Sequence, residues 1–315
     1  MSCWKELGRT TLGSTGDSLG VGSLSNKRYL MILSDLLPSG TIDGRITFNS
    51  DTGSNYAYRT SANGGADATA VSQSDIKLFT TSASSNELFT VGYTANLAGN
   101  EKLFTGNTIK SDGTGASDVP KRYENTAKWA NTSNAISDVS IDNAGAGDYA
   151  SGSEVVVLGW DPADTHTDNF WEELASVELS SASDTLSSGT ITAKKYLWVQ
   201  YYTKNSGNVE TKCRFNSDSG SNYTFRWSED GGSDVEYTSQ TECDRWIFAS
   251  KPSFHSFFIV NNSANEKLIT GHVMSPNTAG AGTAPARAEF SSKWTNTSSQ
   301  ITDITVNNTG TGDMD

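Results

Sequence analysis

Histidine and cysteine are scarce in this chain, three of each in 315 residues. No Cys-x-x-Cys or Cys/His spacing suited to zinc occurs, and no P-loop or GxGxxG string offers a phosphate cradle. Positive charge is thin as well. With 23 Lys and Arg against 36 Asp and Glu, the formal net charge is −13. No basic stripe stands out, which argues against contacts with DNA or RNA phosphates. No apolar run nears the ~20 residues that cross a bilayer as a helix. The opening Met1-Ser2-Cys3-Trp4-Lys5-Glu6 lacks the apolar core of a signal peptide. The expectation is a soluble chain with no nucleic-acid or membrane partner and no cofactor.

What fills the space is Ser, Thr, Asn and Gly. Hydrophobic residues make up 35% and charged residues 19%, both low, yet Tyr, Phe and Trp stay frequent enough to argue against a disordered chain. Tight turns explain the 29 glycines better than disorder does. Runs rich in Val, Ile, Tyr, Phe and Thr predict strands over residues 27–37, 44–49, 55–60, 75–80, 87–96, 101–110, 122–130, 136–143 and 153–160. A second set follows at 195–202, 212–215, 222–227, 245–249, 254–261 and 267–274. Turn clusters such as Asp51-Thr52-Gly53 and Asn63-Gly64-Gly65 separate them. No amphipathic helix longer than two turns can be drawn.

The two sets are related by repetition. Phe48-Asn49-Ser50-Asp51-Thr52-Gly53-Ser54-Asn55-Tyr56 returns 167 residues later as Phe215-Asn216-Ser217-Asp218-Ser219-Gly220-Ser221-Asn222-Tyr223. Trp4-Lys5-Glu6-Leu7 maps onto Trp171-Glu172-Glu173-Leu174 at the same offset. From Asn100 onward the offset is 165, carrying Asn100-Glu101-Lys102-Leu103 onto Asn265-Glu266-Lys267-Leu268 and Trp129 onto Trp294. A period this long reads as a duplicated domain, since solenoid units end near 50 residues. The fold class expected is all-β, two tandem jelly-roll-like antiparallel β-sandwich domains from an internal duplication. The first covers residues 1–160, a linker 161–170, and the second 171–315. Copy one closes with Ser153–Trp160, an apolar strand with no counterpart before Asp315. A shortened chain, a copy without that strand, or a strand added from a neighbouring chain would each account for this.

The repeat also tests candidate chemistry. Gly16-Asp17-Ser18-Leu19 matches a serine-esterase string, but no histidine lies in the context a Ser–His–Asp triad requires, and copy two reads Ser183-Asp184-Thr185-Leu186. Asp51 and Asn55, with Asp218 and Asn222, have the oxygen chemistry of a calcium loop. The competing reading is a hairpin turn in which Asp caps backbone amides and Gly takes positive φ. Tyr56, Tyr58 and Arg59, with Tyr223, Phe225 and Arg226, combine aromatics and a guanidinium as a glycan site would; packing between strands under a covering Arg is the alternative. The matched acids Glu6/Glu173, Glu101/Glu266 and Asp138/Asp303 read as solvated faces or ion-pair partners. Trp129/Trp294 and Trp4/Trp171 read as core anchors. Cys213 and Cys243 stand where copy one has Ile46 and Ile76, so they read as core positions, with a Cys213–Cys243 disulfide as the alternative; Cys3 has no assigned role. No catalytic residue or bound metal is expected.

The opening Trp-x-Glu-Leu, the string Arg45–Arg59 and the close Gly152–Trp160 resemble domains of virion structural proteins of tailed bacteriophages and related viruses. The resemblance spans nearly all of both copies. It implies a non-enzymatic, surface-exposed decoration, fibre or appendage component, made in the host cytoplasm and assembled with other virion proteins as a homo-oligomer. A carbohydrate-binding adhesin for host-surface glycan and a double-jelly-roll capsid subunit are the alternatives.

Overall fold

The computed structural model describes residues 4–79, 87–164, 168–249, 251–276, 281 and 283–315. Cys3, Thr80 and the linker's His166 lie outside them. Among the described residues there are 22 strands and no helix. The chain divides into two units, one of Met1–Lys110 with Arg122–Glu172, the other of Ser111–Lys121 with Glu173–Asp315.

The first unit holds twelve strands: β1 (Lys5–Thr11), β2 (Ser18–Val21), β3 (Tyr29–Leu36), β4 (Gly44–Phe48), β5 (Tyr56–Ala62), β6 (Ala68–Gln73), β7 (Ile76–Lys77), β8 (Leu88–Ala95), β9 (Lys102–Lys110), β10 (Lys121–Trp129), β11 (Val139–Asn143) and β12 (Glu154–Trp160). An eight-stranded sheet runs β1-β12-β3-β8-β9-β10-β5-β6 and a four-stranded one β2-β11-β4-β7. The paired strands are antiparallel. One core joins the sheets face to face: Leu30, Ile32, Phe104, Trp129, Val155 and Val157 come from the larger, Val21, Ile46, Phe48, Val139 and Ile141 from the smaller. Strand alternation puts these residues on one side of each ribbon, which makes a sandwich.

The second unit holds β13 (Thr185–Thr190), β14 (Tyr196–Thr203), β15 (Asn208–Phe215), β16 (Tyr223–Glu229), β17 (Val235–Gln240), β18 (Cys243–Ala249), β19 (Ser253–Val260), β20 (Lys267–Ser275), β21 (Ala286–Trp294) and β22 (Asp303–Asn308). Its sheets run β13-β22-β15-β18 and β14-β19-β20-β21-β16-β17. Strand for strand, this order matches the first unit with β1 and β12 removed. In the first unit β1 and β12 pair with each other. Residues 172–178, the counterpart of β1, form no strand and are largely exposed.

The antiparallel all-β reading holds. The expected strands passed over β1, β2, β6, β13, β17, β21 and β22; short or polar sequences such as Ala-Thr-Ala-Val-Ser-Gln in β6 carry little apolar alternation, whereas β21 and β22 do alternate, with Ala286, Ala288, Phe290 and Trp294 in the one and Ile304 and Val306 in the other turned to the core. Cys213 and Cys243 are buried, not joined by a disulfide, and opposite each other across β15 and β18, as Ile46 and Ile76 are across β4 and β7. Trp4 and Trp171, expected as core anchors, are only half-buried.

Candidate functional site

The repeated string Phe48–Tyr56 forms the β4–β5 turn. Asn49 and Ser50 both take positive φ, 52° each, and the Asp51 amide donates to the Phe48 carbonyl at 3.0 Å. Two successive positive φ values with that bond make a type I′ turn, used here at a corner, because β4 and β5 belong to different sheets. Gly53, expected at positive φ, is not in that region. It is glycine for space: a Cβ there would come within 2.9 Å of Asn55 Nδ2 and 3.1 Å of Asp51 Oδ1.

Asp51 is the hub. Its Oδ1 accepts from the Gly53 amide at 2.9 Å, and its Oδ2 accepts from Asn55 Nδ2 at 2.9 Å and Trp129 Nε1 at 2.7 Å. Burial works to raise the Asp51 carboxyl, but the donors from Trp129, Gly53 and Asn55 outweigh it and hold the group below the ordinary carboxylate value. Asp218 repeats the arrangement, with Trp294 Nε1 at 2.7 Å, the Gly220 amide at 2.9 Å and Asn222 Nδ2 at 3.0 Å, and is lowered in the same way. Each carboxylate and its Asn amide are spent on one another and on the turn. Among the described residues, no group of three or more His, Cys, Asp or Glu is placed to hold a metal.

A lysine completes the cluster. Lys102 Nζ donates to the carbonyls of Asn100 and Asn131 at 2.8 and 2.9 Å and lies 5.7 Å from the Trp129 ring centroid. Lys267 does the same with Asn265 and Asn296 at 2.8 and 2.7 Å, 5.6 Å from the Trp294 ring. Both lysines are fully buried, and burial lowers the Lys102 ammonium. The sequence held the signal for these lysines in the shared Asn-Glu-Lys-Leu, but a lysine in a strand reads as surface until its carbonyl partners are known. Asparagines complete the loop bracing. Asn49 takes the Ser137 amide at 2.7 Å and donates to Ala135 O at 2.8 Å, and Asn216 takes the Thr302 amide and donates to Gln300 O, each at 2.8 Å.

The six aromatic and arginine candidates do not form one surface. Tyr56 and Tyr223 are core residues whose hydroxyls bond the Phe48 and Phe215 backbone, at 2.9 and 3.0 Å from the amides, and burial raises both phenols. Tyr58 packs against the first core. Phe225 is buried and stacked on Tyr237, with centroids 4.8 Å apart. Arg59 is one residue on from Tyr58 and therefore on the opposite face of its strand. It is 57% exposed and pairs with Asp67 at 2.9 Å. Arg226 is buried between Asp234 at 3.5 Å, Glu236, and the Pro120 carbonyl at 3.1 Å. Glu266 and Lys293 pair at 3.2 Å, Glu101 and Lys128 at 2.9 Å, as ion-pair partners.

The Gly16-Asp17-Ser18-Leu19 string enters β2, with the Gly16 amide on the Tyr149 carbonyl at 3.0 Å. One serine–histidine contact was not foreseen: Ser253 Oγ lies 3.0 Å from His255 Nε2, with Thr203 Oγ1 2.8 Å beyond and the His255 ring stacked on Tyr201. All four residues are buried inside the second unit.

No protein-family model and no curated protein matches the chain. Solved structures give faint likenesses. The LG1–3 region of the laminin α2 chain matches at a TM-score of 0.23 and 10% identity, over 93% of this chain and 59% of that one. Domains LG4–5 of the mouse laminin α1 chain match at 0.20 and 9%, over 95% and 81%. At such scores neither likeness carries an argument about fold or function.

Proposed function

We propose that the chain is a non-enzymatic structural component acting through contact with other chains, and that its setting is the surface of a virus particle, as a decoration, fibre or appendage module. The observation that supports this reading is where the repeated polar residues are spent. Asp51, Trp129, Lys102 and Asn49, like Asp218, Trp294, Lys267 and Asn216, satisfy the backbone and side chains of their own turns. A nucleophile and base must meet a substrate, and the Ser253–His255 pair lies inside the core. What faces solvent is acidic and rich in Ser, Thr and Asn, a composition that keeps crowded assemblies soluble. The adhesin alternative draws no support from β5 or β16, whose aromatics point away from Arg59 or are buried. Quantitative proteomics of purified particles is the test. A fixed copy number per particle is expected; presence in infected-cell lysate with absence from the particles would overturn the proposal.

A further inference from the structure

The second unit includes Ser111–Lys121, the connection that follows β9. It lies on the face of β16 and β21 turned away from the core and is gripped by its main chain. Lys293 Nζ donates to the Ser111 and Gly113 carbonyls at 3.1 and 2.8 Å, and Arg226 Nε to the Pro120 carbonyl at 3.1 Å. The Ser239 amide donates to the Ala116 carbonyl at 2.7 Å, and Glu266 Oε1 accepts from the Gly115 amide at 2.5 Å. The gripping residues recur in the first unit. Arg226, Ser239, Glu266 and Lys293 become Arg59, Ser72, Glu101 and Lys128 at the repeat offsets. Their pairings recur too: Lys293–Glu266 at 3.2 Å is Lys128–Glu101 at 2.9 Å, and Arg226–Asp234 at 3.5 Å is Arg59–Asp67 at 2.9 Å. Ser239 and Ser72 sit at the same bulge, with φ of 51° and 52°. What differs is cover. The Lys293, Glu266 and Arg226 side chains are 0, 10 and 8% exposed, their counterparts 46, 41 and 57%. Leu103 is 60% exposed where Leu268, across from Lys293, is buried.

We infer that this face of the first unit is a docking site for a polypeptide loop of the pattern Gly-x-Gly-Ala-x-x-x-Pro, carried by a partner domain built like these two. The chemistry follows from the filled counterpart. Lys128 and Arg59 can donate to carbonyls, and Glu101 can accept a main-chain amide, without giving up their ion pairs, because Lys293, Arg226 and Glu266 do both. Thr69 stands where Glu236 holds Arg226, so Arg59 has one carboxylate fewer competing for it. The two glycines are set by the backbone: Gly113 and Gly115 have φ of 123° and 80°, a region closed to most side chains. Asp118 and Asp112 add negative charge near Lys293, so an acidic residue close to the glycines suits Lys128. The chain's own connections do not serve. Ser111–Lys121 is engaged within the second unit, and the corresponding stretch of copy two places Thr278 where Gly113 stands. Such docking holds whether or not the chain belongs to a particle.

A peptide of the Ser111–Lys121 sequence, added to the full chain, tests the site through site-resolved amide chemical shifts. Binding is expected to move the Ser72 amide and its neighbours on β5 and β6, and to leave Ser239 in place. Lys128→Met and Arg59→Ala, both at exposed positions, should each weaken binding about tenfold, as loss of a charged donor does. A peptide with Gly113→Thr and Gly115→Val should not bind. No movement at Ser72 with millimolar peptide, equal binding by the substituted peptide, or an unchanged Kd in both variants overturns the site. Movement at Ser239 alone would mean that the peptide only displaces the chain's own loop, and overturns it as well. Shifts at Ser72 that appear on concentrating the protein without peptide would make a second copy the occupant and overturn the glycine pattern.

Discussion

β3 and β14 occupy counterpart places in the repeated sequence, yet β3 lies between β12 and β8 while β14 ends its sheet. The core-facing positions tolerate little difference: Leu30 and Ile32 become Leu197 and Val199. The other face changes character, with Met31, Leu33 and Asp35 becoming Trp198, Gln200 and Tyr202. A strand's inner face answers to the opposing sheet, which both units keep, while its outer face and edges answer to neighbours they do not share. Arg59 and Arg226 teach the same lesson on β5 and β16, one exposed beside Asp67, the other enclosed by Asp234, Glu236 and the Pro120 carbonyl.

The strictest test of likeness between the units is the tryptophan pair. Trp129→Ala and Trp294→Ala each remove a fully buried ring and leave a half-exposed carboxylate and a buried lysine without it, so each should cost about 3–5 kcal/mol in urea unfolding. A small effect in one unit alone would break the equivalence of the two clusters. The arginines should behave unequally. Arg226→Ala strips the cation from Asp234, whose side chain is 3% exposed, and should cost about 3–5 kcal/mol. Arg59→Ala breaks an exposed pair worth about 0.2–1 kcal/mol. Equal losses would mean that sequence, and not surroundings, sets the role of this residue. The strand comparison sharpens in the same way. Ile32→Ala, in a closed core, should cost about 2–5 kcal/mol. Val199→Ala at the open edge should cost about 1 kcal/mol or less, a fraction of the ~1.5–3 kcal/mol for full burial. Thermal or urea midpoints of the pair decide it.

Much of the fold was legible because alternation, turn residues and the long repeat agree. The Asn63-Gly64 hairpin has both residues at positive φ, 52° and 66°, as its sequence announces. Weak strands such as β6 and β17 were not legible, since edge strands need no apolar face and owe their form to β5 and β16. The turn reading of Asp51-Thr52-Gly53 was recoverable in kind, but the Trp129 and Lys102 partners come from 78 and 51 residues away. Only the recurrence of Trp294 and Lys267 at fixed offset hinted that they belonged together. The aromatic–arginine grouping failed for a reason already present in the sequence: Tyr58 and Arg59 are neighbours, and neighbours on a strand face opposite ways.

A modest effect is expected in acid. Asp51 and Asp218 are held below the ordinary carboxylate value in the folded protein, so the unfolded chain binds protons more readily at both positions. Their stabilisation is fully present above the unfolded value, about 3.9, and is lost as pH falls through the lower folded value. Because both groups are half-exposed, the effect is modest. Replacing a charged acceptor by a neutral one, Asp51→Asn, trades a charge-assisted bond from Trp129 Nε1 for an ordinary one, about 1 kcal/mol at neutral pH. The double variant Asp51→Asn/Asp218→Asn should lose less stability than the parent as pH falls from about 5 through the lowered folded values. Urea midpoints across that range give the comparison. Parallel curves would show that these carboxylates contribute nothing through their charge, and the turn clusters would then be held by shape and neutral hydrogen bonds alone.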